Sequence, residues 1–158
     1  MKPLKVSATM IVSACILAFF LLEPAAVHAT SKGQTVYVPG YSHIYSGDMG
    51  KPFYLAVTLS IRNTDPHSTM TLTQVDYYDS DGKLLTRHLD KPVELAPLAA
   101  TRFIVKESDK SGGSGANFIV TWKAKGQISP PLMESIMIST RAQQGISFTS
   151  RGQVIREK

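Results

Sequence analysis

The chain has 158 residues, 43% of them apolar, a formal net charge of +5 and a single cysteine. That length accommodates one domain rather than several, and a lone cysteine excludes an intramolecular disulfide framework or a multi-thiolate metal centre. The basic side chains are scattered, with no Lys/Arg block interleaved with aromatics, so nothing directs the chain to nucleic acid.

Residues 1–29 carry the pattern of a signal peptide. Lys2 and Lys5 give a basic start, Val6 to Leu22 is an apolar run broken only by Ser7, Thr9 and Ser13, and Glu23-Pro24 ends it. Val27-His28-Ala29 then places the expected cut before Thr30. Two other readings stay open. The apolar run is 17 residues, near the lower limit for a spanning helix, which allows an uncleaved anchor. Val12-Ser13-Ala14-Cys15 has the form of a lipobox, although the apolar stretch after Cys15 stands where a lipoprotein carries a polar tether. The expected product is therefore a single domain over 30–158, periplasmic or secreted within the cell envelope. It touches a membrane only if the leader is retained or Cys15 is lipidated. This product has no cysteine and carries 15 Lys and Arg against 11 Asp and Glu.

Past the leader, the dominant pattern is period-two alternation, the signature of strands whose successive side chains face opposite ways. Phe53, Leu55, Val57, Leu59 and Ile61 form one stripe, alternating with Tyr54, Ala56, Thr58, Ser60 and Arg62 on a wetter face. Asn63-Thr64-Asp65-Pro66 stops this strand, since proline fixes φ and lacks an N–H. The next run, 69–79, begins in one phase with Met70 and Leu72 and resumes in the other with Val75 and Tyr77, which predicts a bulge near Thr73 or Gln74. Asp79-Ser80-Asp81-Gly82 reads as a hairpin turn, with 84–89 as the returning strand. Further strands are expected over 102–106, 117–123, 135–140, 146–149 and 153–155, with Trp122 in a core stripe with Phe118 and Val120. Turn-rich stretches at Ala96-Pro97, 111–115 and Pro130-Pro131 separate them, and no amphipathic helix of useful length is present. Short strands at this spacing predict an all-β fold, a single antiparallel β-sandwich of immunoglobulin or fibronectin type; a small β-barrel is the alternative.

Several runs also carry a family resemblance. VYVPGYSHIY from Val36, LAVTLSIRNTDP from Leu55, VDYYDSDGKLL from Val75, LAPLAATRF from Leu95, SGGSGANFIVTW from Ser111 and RAQQGISFTSRGQ from Arg141 occur in order over nearly the whole domain. Together they resemble the bacterial domain-of-unknown-function 3124 family. The resemblance implies an exported or envelope-associated bacterial protein and assigns no activity and no functional residue.

The candidate binding residues are Tyr41, His43, Tyr45, Gln143 and Gln144. On an extended strand Tyr41, His43 and Tyr45 share one face; exposed, they offer flat rings with polar tips suited to sugar rings or an extended peptide. Packed inward, they are core. Gln143-Gln144-Gly145 reads as a turn whose amides can hydrogen-bond a sugar or a peptide backbone. Ser111-Gly112-Gly113-Ser114-Gly115 lacks the lysine and following helix of a phosphate loop and reads as a hairpin connection. Asp76, Asp79 and Asp81 share part of a calcium-loop pattern without its downstream glutamate. His43, His67 and His88 have no ligand spacing, and nothing in the sequence joins Ser114, His43 and Asp48 into a nucleophilic set. No catalytic residue, metal or cofactor is assigned. The expected function is a non-catalytic module that binds a protein, peptide or glycan of the envelope; the alternatives are a hydrolase of envelope material and a structural or assembly subunit.

Overall fold

The computed structural model describes residues 29–46, 48, 50–140 and 145–158; the leader pattern at 1–28 and the candidate residues Gln143 and Gln144 lie outside them. Among the described residues twelve strands follow in chain order: β1 Ser31–Pro39, β2 His43–Ser46, β3 Lys51–Tyr54, β4 Ala56–Arg62, β5 Met70–Tyr78 and β6 Leu84–Arg87, then β7 Val93–Leu95, β8 Ala100–Val105, β9 Asn117–Ile128, β10 Leu132–Ser139, β11 Ile146–Arg151 and β12 Gln153–Glu157. All pairings are antiparallel. The larger sheet runs β12-β1-β9-β5-β6, with β7 also on β5; the smaller runs β11-β10-β4-β8; β2 and β3 form a separate ribbon.

The fold is an open β-sandwich, and neither sheet closes into a barrel. Alternation makes it so. Val57, Leu59 and Ile61 of β4, with Leu55 just before it, are fully buried and meet Phe118, Val120 and Trp122 of β9 in the same core. Side chains from two inner faces interdigitate in this way in packed sheets. The long alternating run over residues 53–61 is broken at Leu55, so its first part, β3, leaves the smaller sheet and pairs with β2 instead. The bulge in β5 lies where the phases change, between Leu72 and Gln74.

Two elements stand outside the strands expected from alternation. β1 buries Val36 and Val38 in its second half, but its first half buries Ser31 and Gln34. Those polar groups are satisfied by Glu157, which accepts from Ser31 Oγ at 2.9 Å and from Gln34 Nε2 at 2.7 Å. β7 is a three-residue strand. The 111–115 loop also differs from expectation. It joins β8 of the smaller sheet to β9 of the larger one, so it crosses between sheets rather than closing a hairpin. The chain also changes sheet at Gly152, between β11 and β12; a Cβ there would lie 2.6 Å from Val36 Cγ1. Ser135 Oγ donates to the Pro39 carbonyl, linking the smaller sheet to β1.

Asn63-Thr64-Asp65-Pro66, expected only to stop a strand, is a hydrogen-bonded knot. Asn63 is buried, and its Nδ2 donates to the carbonyls of Ser68, Leu95 and Ala96 at 2.8, 3.2 and 3.0 Å. Asp65 accepts from the backbone N–H groups of His67, Ser68 and Ser129. These bonds favour the ionised carboxylate and lower its pKa, the His67 bond most. Among the described residues no helix is long and apolar enough to cross a membrane.

Candidate functional site

The β2–β3 ribbon belongs to neither large sheet, and its two faces differ. Ile44 and Phe53, opposite each other in the register, pack against the core. The other face carries His43 and Tyr45 of β2 with their partners Tyr54 and Pro52 of β3. His43 meets the Tyr45 ring at 5.2 Å and 86°, and the Tyr54 ring at 5.9 Å and 67°. Such edge-on contacts place the positive edge of one ring against the negative face of another. Lys110, from the loop after β8, sets its Nζ 4.5 Å from the Tyr54 centroid, a cation–π contact. Tyr45 is 61% exposed. His43 Nδ1 is buried with no hydrogen-bond partner among the described residues.

Of the residues expected to share this face, His43 and Tyr45 come together. Tyr41 lies before β2, half-buried against the core, with its ring 5.9 Å from that of Phe148 on β11. Its place beside His43 is taken by Tyr54. Tyr54 already stood on the wetter side of the 53–61 alternation, so its place opposite Phe53's face was readable locally; its pairing with His43 depends on the ribbon register. Lys110 gave no local signal.

The glycine-rich loop supports the ribbon. Gly113 takes φ +81° and its carbonyl accepts from both Ser42 N and Ser42 Oγ at 3.1 Å. Leu55 N donates to the Ser42 carbonyl at 3.0 Å. Ser80, in the β5–β6 turn, donates through its N–H to the Gly112 carbonyl at 2.9 Å, and its Oγ accepts from Gly115 N at 2.9 Å. The carbonyls of Gly112 and Gly113 and the amides of Ser111 and Gly115 are thus engaged inside the protein. The Asp79–Gly82 turn is held likewise: Asp79 Oδ1 accepts from Asp81 N and Lys83 N, and Gly82 takes φ +79°. Among the described residues no group of three or more His, Cys, Asp and Glu is placed to hold a metal ion.

The family model described as "Protein of unknown function (DUF3124)" matches residues 33–155, from β1 to β12. The chain belongs to the DUF3124 family. Within this DUF3124 domain the family match includes the ribbon, the glycine-rich loop and the Asn63–Asp65 knot. No curated protein matches the chain. Among solved structures, a similar one is titled "Crystal Structure of Thermotoga maritima 1070", at 15% identity and a TM-score of 0.47, covering 79% of this chain and 97% of that one.

Proposed function

We propose that this DUF3124 domain is a non-catalytic binding module of the bacterial cell envelope, which engages an extended peptide or a glycan through the His43–Tyr45–Tyr54 face. The observation that carries the reading is the exposure of Tyr45, 61%, at the outer end of an aromatic cluster on a ribbon outside both sheets. Flat, rigid rings give contact area at low entropic cost, and their polar tips fix orientation. The ribbon's other face is anchored in the core, so the rings are held in place before a ligand arrives, which lowers the cost of binding.

The signal-peptide pattern of residues 1–29 supports export to the periplasm or beyond. N-terminal sequencing of the protein recovered from the envelope or medium tests this part, with a first residue of Thr30 expected. An intact Met1 or a lipidated Cys15 contradicts cleavage. The binding reading is tested by fractionating partners captured from envelope extract by the wild-type domain and by Tyr45→Ala.

A further inference from the structure

A second feature lies on the outer face of the larger sheet. There β7, β5 and β9 run side by side, and Thr71 of β5 stands opposite Glu94 of β7 on one side and Lys123 of β9 on the other. Their neighbours Met70, Leu72, Leu95 and Trp122 are buried in the core. Successive strand side chains point to opposite faces, so Thr71, Glu94 and Lys123 project outward in one row. An open groove of about 790 Å³ lies over this row, lined also by Thr69, Lys125 and Gly126.

The lining is reachable from solvent. Glu94, Lys123, Lys125 and Thr69 are exposed, and Thr71 is half-buried. At Gly126 an added Cβ would meet nothing within 4 Å, so the β9 wall stands open. The charges are separated by sign. The carboxylate stands on β7 and the two ammonium groups on β9, with the Thr71 hydroxyl of β5 between Glu94 and Lys123. Glu94 and Lys123 are two strand spacings apart, about 10 Å between backbones, and among the described residues neither makes an ion pair.

We propose that this groove binds a short peptide with both ends free, two or three residues long, its ammonium end at Glu94 and its carboxylate end at Lys123 and Lys125. The volume falls within the roughly 300–1,000 Å³ of small-ligand sites. An extended chain covers about 3.3–3.6 Å per residue, so two or three residues span about 7–11 Å, which matches the spacing of the two charged strands. Threonine hydroxyls donate and accept, which suits the peptide N–H and C=O groups that cross them. A simple anion would meet the Glu94 carboxylate and a simple cation the two lysines; a ligand with one charge at each end avoids both conflicts. The site is separate from the His43–Tyr45–Tyr54 face. The glycine-rich loop that holds the ribbon leads into the start of β9, and the groove lies at that strand's other end.

The test is a titration of the purified protein with tri-L-alanine, following the Thr71 and Lys123 amide resonances by NMR. N-acetyl-tri-alanine and tri-alanine amide, each lacking one terminal charge, are titrated beside it. Glu94→Gln and Lys123→Gln alter exposed side chains, so both variants are expected to melt at the wild-type temperature. Tri-alanine is expected to shift both resonances, and each capped peptide to bind about five-fold more weakly, as loss of an exposed ion pair allows. Glu94→Gln is expected to weaken tri-alanine by a similar factor and to leave the N-acetyl form unaffected, because that form has no ammonium to lose. Lys123→Gln is expected to weaken tri-alanine and to spare the amide. Tyr45→Ala leaves every affinity unchanged. The proposal is overturned if tri-alanine moves neither resonance, or if Glu94→Gln weakens the N-acetyl form as much as the free peptide. An N-acetyl form that binds as tightly as tri-alanine also overturns it, and marks a site for anions alone. Binding lost in Tyr45→Ala overturns it as well, by assigning the peptide to the ribbon.

Discussion

His43 stands directly opposite Tyr54 in the β2–β3 ribbon, and their rings meet near edge-on at 5.9 Å. The same imidazole meets Tyr45 at 5.2 Å, so one side chain joins the two tyrosines into a single surface. His43→Ala removes both contacts, each worth about 0.5–1.5 kcal/mol beyond buried area. Urea unfolding is expected to show a loss in that range for each contact. A variant with unchanged stability means that the rings do not support one another.

Among the described glycines, Gly112 leaves the least room for a Cβ. A Cβ there would fall 2.0 Å from Tyr77 Oη and 2.8 Å from the Ala116 Cβ, whereas at Gly126 it would meet nothing within 4 Å. Gly112→Ala is therefore expected to cost about 1–3 kcal/mol by overpacking. Gly126→Ala is expected to stay within about 0.5 kcal/mol, as surface changes usually do. Chemical denaturation of the two single variants checks the contrast.

Asn63 satisfies three carbonyls from one buried amide nitrogen. Asn63→Ala leaves the buried Leu95 carbonyl without this donor, at a cost of about 1–3 kcal/mol. Asn63→Asp keeps the shape but replaces the donating nitrogen with an acceptor and is expected to be at least as damaging. Thermal melts of the two variants test this.

His88 gives stability a pH dependence. Burial lowers its pKa in the folded state, with the Asp76 charge opposing the shift. The folded protein therefore resists a proton that the unfolded chain accepts at its usual value of 6.5. Stability contributed by neutral His88 is full above that value and declines as pH falls through it towards the lowered folded pKa. Denaturation midpoints measured downward from neutral pH are expected to fall in the wild type and to fall less steeply in His88→Gln over the same window.

Much of this fold was legible where burial follows alternation. Leu55, Val57, Leu59 and Ile61 announced a core strand, the phase change between Leu72 and Val75 announced its bulge, and Trp122 went to the core as its stripe required. β1 was not legible, because its buried Ser31 and Gln34 hydrogen-bond to Glu157 at the far end of the sequence, and no local pattern carries that partner. The site was half legible for the same reason. His43 and Tyr45 declare themselves by spacing, whereas Tyr54 joins them through pairing and Lys110 through a loop that folds back over the ribbon. Tyr41 shares their phase but precedes the strand, and Phe148 from the smaller sheet takes its ring.

The central claim is that the exposed ring of Tyr45 takes part in binding. Tyr45→Ala removes a largely solvated side chain with a single aromatic contact, so the fold is expected to survive it. The direct measurement compares envelope peptides and glycans retained by the immobilised wild-type domain and by Tyr45→Ala, with melting temperatures taken alongside. The account predicts a retained component that the variant loses while its melting temperature stays close to that of the wild type. Equal retention by two equally stable proteins would contradict it.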